Sequence, residues 1–293
     1  MSTNTRSQIV ELGLADWDAA RSEPGWIADL EAGKVLYFPR LAFRLEAQEH
    51  RLLSPDVLAP KVRNVSLDAD GRLKGVAGDA DLRRDAAAMV GRFRAQALRF
   101  VDALLPHYTE ALRVAPTSYR PVQVETRAQS WRADDKRLHI DAFPSRPNYG
   151  ERILRVFTNV NPEGLPRAWR VGEPFEDVAR RFLPRLKPYS SWQARVLKTL
   201  HVTKSLRSEY DHLMLQLHDA MKSDAHYQRD APQEAMAFPA GSVWVCFSDQ
   251  TPHAVMAGQY MLEQTLHLAA SRQYNPESSP LAILSRLTGR TLV

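Results

Sequence analysis

Arg137 to Pro162 reads R-L-H-I-D-A-F-P-S-R-P-N-Y-G-E-R-I-L-R-V-F-T-N-V-N-P. Two apolar segments of strand-like pattern flank a loop rich in Pro, Ser, Asn and Gly, so the stretch predicts strand, turns, strand. The first segment carries His139 and Asp141. Side chains at i and i+2 of a strand share a face, so this imidazole and carboxylate point the same way and can occupy adjacent positions on a metal ion. The second segment, Ile153 to Val160, holds Arg155 in its apolar middle, where a cation is costly unless it is paired.

Downstream, Phe238 to Val255 reads F-P-A-G-S-V-W-V-C-F-S-D-Q-T-P-H-A-V: a turn at Pro239-Ala-Gly241, an apolar strand, then His253. Two imidazoles and one carboxylate that leave coordination positions open form the ligand set of a non-haem Fe(II) oxygenase. Such an enzyme using 2-oxoglutarate and O2 needs a fixed positive group for the distal carboxylate of the co-substrate. Gly258 to Gln264, after His253, holds no Arg or Lys. That points to Arg155 as the clamp, with Asn159 on the same face adding a hydrogen bond and Gln264 a polar contact.

Around these motifs the periodicity alternates between helical and two. A helix is expected over about 80–105, with Leu82, Ala86, Met89, Phe93, Ala97 and Val101 on one face, Asp79 or Asp81 as N-cap and Pro106 beyond its end. Its other face carries Arg83, Arg84, Arg92, Arg94 and Arg99, which either meet solvent or rest on an anionic surface. Gln123 to Trp131 alternates as a strand. From about 163 to 230 the strand pattern pauses and short helices are expected; their His212, His218 and Asp219 have spacing that suits surface or packing roles rather than a second metal. Ser279, Pro280 and Gly289 bracket a final helix.

The expected fold is α+β: a double-stranded β-helix (jelly roll) core with a helical N-terminal region and a helical insertion. All 293 residues form one catalytic domain. Residues 1–121 are mainly helical, 122–275 are the jelly-roll core with its insertion at about 163–230, and 276–293 are a C-terminal helix.

Composition narrows the class further. The single cysteine, Cys246, allows no internal disulfide, and its apolar surroundings suit a buried thiol. The absence of an N-terminal leader pattern and of a long apolar run leads to a cytoplasmic expectation. A formal charge of +5 suits an anionic partner, yet no zinc-finger, helix-turn-helix or RNA-platform motif accompanies it, so no nucleic acid is expected.

With these motifs assembled, the chain resembles the Kdo hydroxylases, Fe(II)/2-oxoglutarate dioxygenases that modify 3-deoxy-D-manno-oct-2-ulosonic acid (Kdo) in the lipopolysaccharide inner core. The similar blocks are E-A-G-K-V-L-Y-F-P-R-L-A-F (31–43), R-L-H-I-D-A-F-P-S-R-P (137–147), R-V-G-E-P-F-E-D-V-A-R-R-F (170–182) and the 238–255 block. The two ligand-bearing blocks alone define only the superfamily; the other two carry the family resemblance. It implies that His139, Asp141 and His253 bind Fe(II), and that C3 of Kdo is hydroxylated on a lipid A precursor. Arg146 and Arg152 then suit contacts to the sugar acid, and the basic helix faces suit peripheral contact with the cytoplasmic face of the inner membrane. Other readings of the same residues are another 2-oxoglutarate hydroxylase of a small acid or protein, a zinc-dependent hydrolase, or a non-catalytic cupin-like binding module.

Overall fold

The computed structural model describes residues 7–124 and 130–293. In chain order come β1 (Ile9–Glu11), α1 (Pro24–Glu31), β2 (Val35–Phe38), β3 (Val65–Leu67), β4 (Leu73–Lys74), α2 (Ala80–Leu104) and β5 (Arg113–Arg120). Next are β6 (Arg152–Asn159), β7 (Arg167–Gly172), α3 (Phe175–Phe182), α4 (Ser191–Thr199), α5 (Glu209–Ser223) and α6 (Ala225–Asp230). The chain closes with β8 (Gln233–Phe238), β9 (Val243–Phe247), β10 (His253–Ala257), β11 (Met261–Leu268) and α7 (Pro280–Thr288).

One sheet runs β1-β2-β9-β6-β11-β5-β3-β4, and a smaller one runs β10-β7-β8. β1 and β2 pair in parallel; β9, β6 and β11 at the centre pair antiparallel. The sequence of β9, V-W-V-C-F, shows why the large sheet has two buried faces. Val243, Val245 and Phe247 enter a core shared with α1 and α2, while Trp244 and Cys246 enter a second core shared with the small sheet. A strand covered on both sides reads as a continuous apolar run. β6 obeys the same alternation: Leu154 and Val156 face the helices, and Phe157 faces the small sheet.

The helical layer follows its sequence closely. Asp79 caps α2 by accepting from Leu82 N, and Ala86, Met89, Phe93, Ala97 and Val101 are all buried. Two of its five arginines are tied into the fold: Arg92 pairs with the buried Glu49, and Arg94 donates to Thr117 Oγ1 and to the Asp68 carbonyl. Arg83, Arg84 and Arg99 stay exposed, Arg84 paired with the equally exposed Asp81. A third core joins α3, α5, α6 and α7 to Leu138, Ile140 and Ala254, the neighbours of two expected metal ligands. Among the described residues no helix is long and apolar enough to cross a membrane.

Two expectations change. The described part of 1–121 holds more helix than strand and also supplies β1 to β5, five strands of the large sheet. The segment 163–230 is not wholly helical: β7 lies inside it and pairs with both β8 and β10. Arg167 and Arg170 in β7 gave that segment a charged look, but Arg167, Trp169 and Val171 alternate inward and are all buried. His139 lies in an extended segment that makes only an isolated bridge, to His253, rather than a regular strand. The neighbouring Leu138 instead exchanges both backbone hydrogen bonds with the Gln228 side chain. The strand expected over Gln123–Trp131 falls mainly on residues 125–129, outside the described residues.

Arg152 is corrected outright. It is fully buried, donates to Asp249 Oδ2 at 2.7 Å and to Gln250 Oε1 at 2.5 Å, and lies over the Phe247 ring. A guanidinium held this way braces the fold and does not contact a sugar. Asp249 also accepts from Ile153 N, and Gln250 donates to the carbonyls of Glu31 and Ser278. Ser248 to Thr251 thus form a buried polar loop directly ahead of His253. Breaking one side of a buried ion pair leaves an uncompensated charge. Asp249→Ala is therefore expected to cost about 3–5 kcal/mol in urea unfolding, and Arg152→Met with Asp249→Leu distinctly less than that.

Candidate metal centre

The two histidines meet through their own backbones. His139 N donates to His253 O at 3.0 Å, and His253 N donates to His139 O at 2.8 Å. Residues paired this way across antiparallel segments project their side chains to the same side, and the rings lie 4.7 Å apart between centroids. Asp141 N then donates to Ser248 O at 2.9 Å, which sets the carboxylate two residues farther along. One donor atom from each of His139, Asp141 and His253 lies within 4.8 Å of the others, a cluster that can hold a metal ion.

Each imidazole has its tautomer set by a backbone carbonyl. His139 Nδ1 is 2.7 Å from Arg137 O, and His253 Nδ1 is 2.9 Å from Thr251 O. A carbonyl only accepts, so Nδ1 carries the proton and the Nε2 lone pair remains available. His139 Nε2 lies 3.9 Å from Asp141 Oδ1. Trp169 stacks on the His253 ring at 5.1 Å, and His218 meets the His139 ring edge-on at 5.6 Å while bonding to its neighbour Asp219. His218 is thus a packing partner of the cluster, as its spacing suggested. The donor set, with two neutral nitrogens and an ionised oxygen on one side only, fits a divalent transition ion with open positions.

Electrostatics favour the ligating forms. Burial, then the charges of His253 and Lys222, pull the His139 imidazole well below its ordinary range. Burial also lowers His253, against the attraction of Asp141. Burial alone would raise Asp141, but Arg155, both histidines and Ser248 outweigh it and hold the carboxyl well below its usual range.

Arg155 Nη2 is 2.9 Å from Asp141 Oδ2, an ion pair whose angle misses hydrogen-bond alignment. Its Nη1 is 3.1 Å from Glu263 Oε1, and Glu263 Oε2 is 3.0 Å from Arg120 Nη2. In sheet register Glu263 lies opposite Phe157 of β6 and Ser118 of β5, diagonal to both arginines and within reach of their long side chains. Burial opposes charge on Arg155, yet Asp141 and Glu263 raise its pKa further.

These groups line a cavity of about 150 Å³ together with Asp135, Arg167, Trp169, Val255 and Met261. Sequence reasoning found Arg155 but missed Arg120, Arg167 and Glu263. Arg120 ends β5 and Arg167 begins β7; only the strand order brings both beside β6 and β11.

Two expected cofactor contacts are corrected. Asn159 Nδ2 donates to the carbonyls of Leu165 and Phe238, and its Oδ1 accepts from Asn161 N. Gln264 Oε1 accepts from Thr117, and its Nε2 donates to the Ala115 and Thr265 carbonyls. Both side chains are buried and engaged in holding the sheet. Gln264 also faces away from the cavity, because the period of two gives its neighbour Glu263 the inward position. Arg146 stands exposed on the loop that follows Asp141.

The model of the 3-deoxy-D-manno-oct-2-ulosonic acid (Kdo) hydroxylase family matches residues 15–291. This chain belongs to the Kdo hydroxylase family. An apo structure of the Kdo hydroxylase KdoO, described as a non-heme Fe(II) alphaketoglutarate dependent dioxygenase, is 44% identical, covers 97% of each chain and superposes with a TM-score of 0.91. KdoO in complex with cobalt(II) is 43% identical, with 98% of each chain covered and a TM-score of 0.92. KdoO in complex with alphaketoglutarate and Fe(III) is 43% identical over 97% of each chain, with a TM-score of 0.91. No curated protein sequence matches this member of the Kdo hydroxylases.

The lowered imidazoles fix the sign of a pH effect. Below the ordinary histidine value of about 6.5 the unfolded chain binds protons that folded His139 and His253 refuse, so stability falls as pH drops through that window. Urea unfolding of the metal-stripped protein should show lower stability at about pH 5.5 than at about pH 7.5. In His139→Gln/His253→Gln that part of the pH dependence disappears.

Proposed function

We propose that this protein hydroxylates C3 of Kdo on a lipid A precursor, with Fe(II) held by His139, Asp141 and His253. The chain is an Fe(II)/2-oxoglutarate-dependent dioxygenase of the Kdo hydroxylase class. The observation that carries the site assignment is the convergence of those three donors with Arg120, Arg155 and Arg167 on one cavity.

Charge supports 2-oxoglutarate as the second occupant. The cavity is lined by three arginines and three carboxylates, Asp135, Asp141 and Glu263, whose formal charges cancel. With neutral imidazoles, a divalent ion leaves two positive charges, and a dicarboxylate neutralises them. Bound iron would supply the O2 activation that no amino-acid side chain offers. The protein supplies position. Arg155, expected from sequence to clamp the distal carboxylate, is already paired with Asp141 and Glu263, so it orients the Asp141 carboxylate and presents a cation at the metal end. Arg120, one carboxylate farther along the chain Asp141-Arg155-Glu263-Arg120, suits the distal carboxylate of the co-substrate instead. Phe157, Trp169, Val255 and Met261 add apolar surface to a largely polar cavity.

The two sheets with the Trp169, Trp244 and Phe238 stack between them read as a double-stranded β-helix. On this reading the whole chain is one catalytic unit, with the insertion helices closing one flank of the metal centre through His218. Arg146, on the loop after Asp141, remains the candidate contact for the Kdo carboxylate. A lipid-borne sugar also calls for peripheral contact with the anionic inner-membrane surface from its cytoplasmic side.

Two experiments test the proposal. Mass spectrometry of core sugar from cells with and without the protein should show one added oxygen atom on Kdo, abolished by His253→Ala; unmodified Kdo in both would contradict it. In steady-state assays Arg120→Gln should raise KM for 2-oxoglutarate about 10- to 100-fold, the loss of one charge-assisted hydrogen bond, with iron affinity unchanged. Arg155→Gln should weaken both, because it also releases Asp141.

A further inference from the structure

The helical insertion carries an unusual surface. Between Asp177 and Glu209 lie 31 residues with eight Lys or Arg and no acidic residue. Arg180, Arg181 and Arg185 are satisfied by Glu176, Glu173 and Asp224. Lys187, Arg195, Lys198 and Lys204 are exposed and make no ion pair among the described residues.

Large apolar side chains stand exposed among these cations. Trp192 on α4 is 70% exposed, and Leu200 and Val202, in the turn that ends it, are 67% and 53% exposed. Trp192 and Arg195 are three residues apart and share one face of α4; only Ala194 of this helix is buried. The turn is held in shape: Val202 N donates to Leu197 O, and His201 takes a left-handed φ of 57°. That conformation, which a glycine would adopt without strain, sets Leu200 and Val202 outward on either side of it.

We propose that α4 and the turn after it form a docking surface for an anionic lipid bilayer. A tryptophan and two aliphatic side chains would enter the headgroup boundary, and the four unpaired cations would meet lipid phosphates. Of the α2 arginines, which sequence alone offered for this contact, Arg92 and Arg94 are bound to internal partners; the insertion sets exposed apolar side chains among its cations, so the contact is placed there. The surface is wired to the metal centre. Lys204 N donates to Ser145 O at 2.9 Å, and Arg207 Nη2 donates to Pro144 O at 2.7 Å, on the loop that leaves Asp141. The docking surface stands on these residues; its use, bringing the site to a lipid-borne sugar, rests on the function proposed above.

The test is co-sedimentation of the full-length protein with vesicles of phosphatidylethanolamine and phosphatidylglycerol, against vesicles of phosphatidylcholine. Wild-type protein should sediment with the anionic vesicles and be released by salt. Arg195→Gln/Lys198→Gln should lower the partition about fivefold for each cation removed, and Trp192→Ser should lower it independently. Iron-dependent succinate formation from 2-oxoglutarate should be unchanged in all three proteins, which separates docking from folding and chemistry. Equal sedimentation of wild type and variants, no preference for the anionic vesicles, or tighter binding to single-stranded RNA than to vesicles would each overturn the proposal. Vesicle binding without Kdo hydroxylation would defeat the assigned function and leave the surface standing. Hydroxylation of Kdo-bearing lipid at wild-type KM in Arg195→Gln/Lys198→Gln would leave the assigned function standing and defeat the use of the surface in bringing the site to its substrate.

Discussion

The structure turns on two backbone hydrogen bonds exchanged by His139 and His253. They join an extended segment that belongs to no regular strand to the first residue of β10, across more than a hundred residues of chain. Without that bridge the two imidazoles would have no reason to face one another. With it, the alternation of side chains puts Asp141 on the same side, and the bond from Asp141 N to Ser248 O fixes how far along it stands. Much of the surrounding fold holds these extended pieces still. Gln228 replaces a missing strand neighbour for Leu138, and the Arg152–Asp249 pair anchors the buried loop ahead of His253.

The second constraint is electrostatic. Buried charge is tolerated only when paired, and here the pairing forms a line: Asp141, Arg155, Glu263, Arg120. The line keeps the Asp141 carboxylate ionised and extends positive charge from the His139–Asp141–His253 cluster into the cavity. Burial meanwhile keeps both imidazoles neutral. A site so arranged balances its own charges and is ready for a cation with a dianion, which is the combination the family chemistry requires.

What could be read in the sequence was local. His139 and Asp141 follow from a two-residue period, and α2 and α7 announced themselves through Asp79, Ser279 and Gly289. His253 was picked out through its turn-and-strand context. What could not be read was adjacency between distant strands. Arg120 and Glu263 acquire meaning only because β5 and β11 are neighbours, and Arg167 only because β7 crosses what looked like a helical interval. The misplaced contacts failed for the complementary reason. Asn159, Gln264 and Arg152 have suitable chemistry, but backbone carbonyls or a buried carboxylate already claim them, and no local pattern announces such partners.

Binding of iron by His139, Asp141 and His253 beside an arginine-lined 2-oxoglutarate site can be measured by anaerobic titration of the purified protein with Fe(II) and 2-oxoglutarate. Chelation of iron by the keto acid gives a visible charge-transfer band. The expected result is a band that needs both additions and is lost in His139→Ala and in His253→Ala. A band of equal strength in either variant, or none in the wild-type protein, would contradict it.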